Sequence, residues 1–292
     1  MSNQPGVLFQ FIFEWRVKFL GIKPPEVALT IDTMKWAFIL ILCACGLAGA
    51  QPLTFQSPQR QTALLELYTS EGCSSCPPAE AWLSSLKNKD GLWTEFVPVA
   101  FHVDYWNHLG WRDKLSSEEF SQRQNDYGAA WSAQNIYTPE FVLNGKEWSN
   151  WLAHRGIPSP SANSAGILQV SSMDGKHWQA NFVPIQKGVG DYEVTAALLV
   201  SDLGSDVTAG ENSGRHLDHD FAALSLITRP LGAGSNGCQG AFIIDNHPRE
   251  ITGHLALAAW VSRAGSLEPL QATGGWLQPD MTTLFTNQPT QK

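Results

Sequence analysis

Thr62-Ala63-Leu64-Leu65-Glu66-Leu67-Tyr68-Thr69-Ser70-Glu71-Gly72-Cys73-Ser74-Ser75-Cys76-Pro77-Pro78-Ala79-Glu80-Ala81-Trp82-Leu83-Ser84-Ser85-Leu86 is the stretch on which the reading of this chain turns. Residues 62–69 are apolar and β-prone. From Pro77 onward, apolar side chains recur at helical spacing, at Ala79, Trp82/Leu83 and Leu86. Prolines suit the first helical turn, where their missing N–H has no partner in any case. The pattern predicts a strand, a Cys-x-x-Cys pair and a helix, with both thiols at the helix N-terminus. Free amide groups and the positive end of the helix dipole favour a thiolate there. A thiolate with a second thiol one turn away is the equipment of disulfide exchange.

Length and composition narrow the possibilities. With 292 residues, 43% hydrophobic and only 16% charged, the chain can build one large or two ordinary cores. A net charge of -8 without a basic block argues against nucleic acid or an anionic membrane as the main partner. Met34-Lys35-Trp36, an apolar run through Leu47 and then Ala48-Gly49-Ala50 read as a signal peptide over 34–50, with a mature start near Gln51. Residues 1–33 read as an upstream extension. Leu42-Cys43-Ala44-Cys45 also has the outline of a lipoprotein box, with lipid on Cys45, so membrane contact is expected only through the signal or such an anchor. The expected location is an oxidising compartment, periplasmic or secreted. Removal of the signal leaves Cys73, Cys76 and Cys238. One close pair plus a lone cysteine is no disulfide framework, and Cys238 reads as a small buried hydrophobe.

Further along, Phe96–Val103 predicts a second strand, reached by a crossover of parallel β-α-β length. Ser116-Ser117-Glu118-Glu119-Phe120 opens a capped helix running to about Ala133. Tyr137–Gly145 is a proline-initiated strand ending in an Asn144-Gly145 turn. Pro158 and Pro160 mark a linker over 155–165. Beyond it, Ile167–Met173 and His177–Val183 flank Asp174-Gly175, a hairpin signal. Further strands are expected at Tyr192–Ser201, Phe221–Thr228, Ala241–Asp245, Leu255–Ser262 and Leu267–Gly274, giving a sandwich-like second half.

The order strand, CxxC helix, strand, helix, Thr-Pro strand and Asn-Gly turn resembles the thioredoxin fold, and Leu67–Cys73 is similar to the active-site approach of glutaredoxins. That resemblance implies a cis bond at Thr138-Pro139, facing the cysteines. More closely, Leu67–Ala79, His102-Val103-Asp104-Tyr105-Trp106 with Gly110-Trp111, Tyr137-Thr138-Pro139 and Gly210-Glu211-Asn212-Ser213-Gly214-Arg215 together resemble a secreted thioredoxin-like family, domain of unknown function 1223, over most of residues 62–277. The expected architecture is an α/β thioredoxin-like domain over 60–160 followed by a β-rich sandwich-like domain over 165–280. The Trp-Cys-Gly-Pro-Cys signature of thioredoxin is missing, so substrate and redox direction do not carry over.

The candidate catalytic residues are Cys73, as the attacking and more exposed thiol, and Cys76, as the resolving one, with Thr138 and Pro139. Glu71 opposes ionisation of Cys73, and Ser74 and Ser75 offer donors but no charge. A static disulfide remains an alternative. So does a metal pair, although structural zinc usually takes four protein ligands and no second CxxC is present. His102 and Asp104, two apart at a strand exit, either shuttle protons to the thiols, bind a metal together with His108, or are structural. Trp106, Trp111, Trp148 and Trp151 either frame a peptide groove or close a domain interface. Glu211 and Arg215 either dock on the redox face or belong to a structural loop. The activity so expected is exported thiol–disulfide oxidoreduction on a protein or small-thiol substrate, with no cofactor and no metal. The competing readings are a non-enzymatic binding module with a structural disulfide and a metal-binding carrier.

Overall fold

The computed structural model describes residues 52–152, 156, 163–185, 191–244 and 253–278. The expected extension, signal peptide and lipoprotein box, and most of the expected linker, lie outside them. Gln51–Lys292 group as one compact unit. Its first half contains β1 (Leu53–Gln56), β2 (Ala63–Thr69), α1 (Pro77–Ser84), β3 (Phe96–His102), α2 (Glu118–Trp131), β4 (Glu140–Leu143) and β5 (Lys146–Glu147). Then come β6 (Gly166–Ser172), β7 (His177–Pro184), β8 (Tyr192–Ser201), β9 (Leu203–Asp206), β10 (His216–His219), β11 (Ala222–Gly234), β12 (Gly237–Ile243), β13 (His254–Arg263) and β14 (Pro269–Trp276).

Strands β2 and β3 run parallel, from Ala63 opposite Phe96 to Thr69 opposite His102, and β2 also pairs antiparallel with β4. Every residue of β2 and β3 is buried, as expected for parallel strands covered on both faces. Asn144 and Gly145 join β4 to β5 with φ of 49° and 79°, the left-handed pair that a two-residue hairpin turn needs. α2 begins where Ser117 accepts a hydrogen bond from the Glu119 amide, with Glu118 and Glu119 in its first turn, and it ends at Trp131.

The two halves share one sheet. Ala222 of β11 pairs in parallel with Ala100 of β3, while β11 also lies antiparallel to β8, which lies antiparallel to β13. The far end of the 13-residue β11 turns back through β12, which leads on to β7, β6 and β1. The result is a 12-stranded mixed sheet plus the small β9–β10 pair. The expected α/β thioredoxin-like domain followed by a sandwich is therefore corrected: the described residues are predominantly strand, with two α-helices, and the sheet runs through both halves.

The reason lies in β8 and β13. Both are buried almost throughout, and their side chains alternate between two hydrophobic cores. Ala197, Leu199, Ala256, Ala258 and Trp260 face the core built on β2, β3, α1 and α2. Ala196, Leu198, Val200, Leu257 and Val261 face the core closed by β6, β7 and β12. Neither core is completed by one half of the chain alone. Gly274 of β14 serves the same closeness, because a Cβ there would meet the Leu257 carbonyl oxygen and the Trp93 ring, each at 2.6 Å.

The first core also holds an ion pair. Glu66 on β2, fully buried, receives Arg123 Nε at 2.7 Å and Nη2 at 3.1 Å, and the hydroxyls of Tyr127 at 2.6 Å and Tyr68 at 3.1 Å. The guanidinium lies over the rings of Phe101, Tyr127 and Trp260. Removing one partner strands the other charge in a dry site. Arg123→Met should therefore lower the urea-unfolding free energy by about 3–5 kcal/mol, and pairing it with Glu66→Gln should recover a large part of that loss.

Candidate functional site

The site begins where β2 ends. Ser70-Glu71-Gly72 turns the chain so that the Cys73 amide donates to the Ser70 carbonyl at 3.1 Å, and Cys76 occupies the N-cap of α1. Cys73 and Cys76 form a disulfide. Pro77 and Pro78 fill the first two helical positions, and the next two amides, of Ala79 and Glu80, donate to the Cys76 carbonyl at 2.9 and 3.1 Å. The expected tip of free N–H groups is thus absent from this first turn: two positions carry no N–H, and the following two are engaged. The dipole of an eight-residue helix remains.

Accessibility also differs from expectation. Cys73 and Cys76 are both 0% exposed, whereas the intervening Ser74 and Ser75 are exposed. Ser75 Oγ lies 3.3 Å from the Cys73 sulfur. The backbone of this segment is held by the Gly210–Arg215 loop. Asn212, fully buried, donates through Nδ2 to the carbonyls of Glu71 at 2.8 Å and Cys73 at 2.9 Å. Arg215 Nη1 holds the Asn212 amide oxygen at 2.7 Å, and the Ser74 amide donates to Glu211 Oε2 at 3.1 Å. Both loop residues singled out from the sequence therefore bear on the CxxC segment, Glu211 directly and Arg215 through Asn212.

On another side, Trp106 packs so closely that a Cβ at Gly72 would meet its own Cβ at 3.0 Å. Trp106 Nε1 donates to Thr138 Oγ1 at 2.8 Å, tying the CxxC loop to Thr138-Pro139, whose peptide bond is cis. Trp148 and Trp151 pack with Trp82 and Phe141 in the first core, and so contribute to packing rather than to a groove. Asp104 turns away to Ser121 of α2, and His108 Nδ1 bonds the Tyr105 carbonyl.

Beneath the disulfide lies a buried acid–histidine cluster. Glu80, one turn after Cys76 on α1, accepts from Thr69 Oγ1 at 2.6 Å and lies 2.6 Å from His219 Nδ1. His219 Nε2 is 3.2 Å from Glu71 Oε1, whose second oxygen accepts from Trp111 Nε1 at 2.6 Å. His102 Nδ1 is 2.7 Å from Asp113 Oδ2, which also receives the Glu71 amide at 2.9 Å. The two imidazoles meet edge to face with centroids 5.0 Å apart. Burial works against protonation of His219, but the flanking Glu71 and Glu80 carboxylates outweigh it and hold its pKa at about 10. Burial likewise opposes the His102 cation, and Asp113 overcomes that and raises its pKa. Of this group the sequence pointed only to His102 as a site residue; Glu71 was weighed only as a charge beside Cys73. Glu80, Asp113, Asn212 and His219 come from distant positions, and only the polar alternation His216-Leu217-Asp218-His219 could have marked β10.

A groove of about 810 Å³ runs beside α1 and is lined in part by Pro77, Glu80, Asp202, Arg215, Asp218 and His219. Among the described residues, no helix is long and apolar enough to cross a membrane.

Fold and site thus define a mixed-sheet β protein that carries a loop-held CxxC disulfide above a buried cluster of carboxylates and histidines. Residues 64–261 match the family described as protein of unknown function (DUF1223), and the chain belongs to that family. Among solved structures it is similar to protein AGR_C_4864 from Agrobacterium tumefaciens, with 22% identity, a TM-score of 0.50, and 75% of this chain and 96% of that one covered. A weaker likeness is to HBP35 of Porphyromonas gingivalis, with 13% identity, a TM-score of 0.47 and 76% of each chain covered. No curated protein matches the sequence.

Next to Pro139, Glu140 accepts from Gln124 Nε2 at 2.6 Å, and burial pushes its carboxyl up to about 7. The native state therefore holds this proton where the unfolded chain has lost it. The stability contributed by the protonated form is present below about pH 4.5 and is lost as pH rises through about 7. Glu140→Gln should flatten the pH dependence of unfolding across that window relative to wild type, as read by denaturant titrations at successive pH values.

Proposed function

We propose that this protein is an exported thiol–disulfide oxidoreductase acting on protein or small-thiol substrates through the Cys73–Cys76 couple. The observation that carries this reading is where the disulfide lies: it spans two exposed serines at the mouth of a helix. A loop this short gains little from cross-linking, about 2 kcal/mol in the chain-entropy treatment against ~4.7 kcal/mol for a 100-residue loop. A staple is worth little here, whereas a vicinal pair at a helix start suits reversible chemistry.

In the oxidised form, a substrate thiolate attacks one sulfur, in this reading Cys73. The Cys73–Cys76 bond breaks, and Cys76 leaves as a thiolate. A second substrate thiolate then attacks the substrate sulfur of the mixed disulfide and releases Cys73. Two electrons pass from the substrate dithiol to the protein, and the two protons shed by the substrate end on Cys73 and Cys76. A substrate disulfide drives the same steps backwards. Because both sulfurs are buried, exchange in this reading needs local opening of the segment that the Gly210–Arg215 loop holds, and the groove lined by Pro77 lies beside it. Export accords with the signal-like segment over 34–50 and with the compartments in which disulfides persist. The net charge of -8 disfavours nucleic acid as a substrate.

Cys73→Ser should abolish disulfide-exchange turnover, while Cys76→Ser should accumulate mixed disulfides in the native compartment, detectable by mass spectrometry. Asn212→Ala, which removes both contacts to the Glu71 and Cys73 carbonyls, should speed reduction of the disulfide by dithiothreitol about tenfold relative to wild type, on the scale of one or two lost hydrogen bonds.

Complete burial of both cysteines favours a second reading, a non-enzymatic binding module with a static disulfide. The reduction potential separates the two. Oxidoreduction expects a value above roughly −300 mV, and a static bridge one below it.

A further inference from the structure

The cluster beneath the disulfide combines ligands in a way that disulfide exchange does not require. We propose that Glu80, His102 and His219 form a binding site for a single divalent first-row transition-metal ion of the zinc type. This site does not rest on the redox reading.

One ligand atom from each of the three residues lies within 4.8 Å of the others, and all three side chains are buried. Ligands around tetrahedral zinc stand roughly 3.3 Å apart for bonds of ~2.0–2.1 Å, so small side-chain rotations would complete the set. One pair is already closer, His219 Nδ1 and Glu80 Oε2 at 2.6 Å. His102 supplies the most direct pointer. Its Nδ1 is held by Asp113, and its Nε2 is buried with no hydrogen-bond partner among the described residues. Buried polar atoms are almost always satisfied, and a ring nitrogen left over beside a second imidazole and a carboxylate has the position of a metal ligand.

The surrounding groups match. Metal-bound histidines usually pass their other ring N–H to a carboxylate, which fixes tautomer and ring orientation. Here His102 Nδ1 faces Asp113, and His219 Nε2 faces Glu71. The two supporting carboxylates are oriented in turn, Asp113 by the Glu71 and Leu115 amides and Glu71 by Trp111 Nε1. Thr69 Oγ1 holds the Glu80 oxygen that does not face His219. Three buried carboxylates surround the two imidazoles, and a dication bound there would displace the ring protons of His102 Nε2 and His219 Nδ1, leaving the net charge of the pocket unchanged. Two imidazoles and one carboxylate suit zinc, cobalt, nickel or iron rather than magnesium or calcium, which take all-oxygen sets. The groove that reaches Glu80 and His219 is also lined by Asp202, Asp218 and Asp220, giving a cation an entry path.

The test is a cobalt(II) titration of the full chain with its disulfide intact, followed by displacement with zinc(II). One equivalent of cobalt should produce visible ligand-field bands, which zinc abolishes. His102→Ala and His219→Ala should each weaken binding by more than about 100-fold, and Asp113→Asn by about 10–100-fold. His177→Asn, which alters an exposed histidine away from the groove, should leave it unchanged. Should the cluster variants fail to fold, zinc anomalous scattering from wild-type crystals grown with zinc chloride decides the matter. A peak between Glu80, His102 and His219 supports the site. A peak elsewhere, no stoichiometric binding by wild type, or binding that persists in folded His102→Ala and His219→Ala overturns it.

Discussion

The two-faced layer formed by β8 and β13 is the constraint from which the rest of this structure follows. A strand has only two sides, and here both are apolar and both are covered. Odd-numbered side chains such as Ala197 and Leu199 complete one core, and even-numbered neighbours such as Leu198 and Val200 complete the other. With a one-residue register shift, each core would receive the side chains meant for its neighbour. The alternation therefore locks the register of the whole central sheet. It also fixes where β11 meets β3, and so where the β9–β10 pair, which immediately precedes β11, can stand against α1.

That placement joins the disulfide-bearing segment to groups far away in the chain. Glu71 and Glu80 come from the region around the disulfide, His102 and Asp113 from the exit of β3 and the following loop, and Asn212 and His219 from the loop and strand that precede β11. Asn212 holds the backbone carbonyls of Glu71 and Cys73, while His219 draws the Glu71 and Glu80 carboxylates together. The CxxC is thus enclosed by contacts that depend on the long sheet being assembled. This arrangement differs from an isolated strand–helix motif open to solvent.

Much of the local structure was legible because its signals sit within a few residues. The Ser117 cap, the Asn144-Gly145 turn and the Asp174-Gly175 hairpin all declare themselves through backbone requirements of single positions. The cis bond at Thr138-Pro139 was legible only through family resemblance. The architecture was misread for a physical reason. A run such as Val194–Val200 is equally apolar whether it lines one sandwich or separates two cores, and period-2 patterning vanishes when both faces are buried. The cluster escaped for a related reason. Its members at 71, 80, 102, 113 and 219 share no spacing, and β10 is too short and too polar to announce a buried histidine. Burial of Cys73 was invisible as well, and Asn212, which bonds its carbonyl, lies 139 residues away in sequence.

The shared central layer has a consequence for how the chain is made. Thr62, just before β2, donates its amide to the Gln271 side chain, so the start of the first core is sealed by β14, the last described strand. Contacts of such long sequence separation form slowly, because the intervening chain must be ordered before they give any return. An emerging polypeptide cannot finish either core until β13 and β14 have left the ribosome. Final closure of both cores therefore waits for the C-terminal strands, so a chain truncated before β13 lacks the layer that the two cores share.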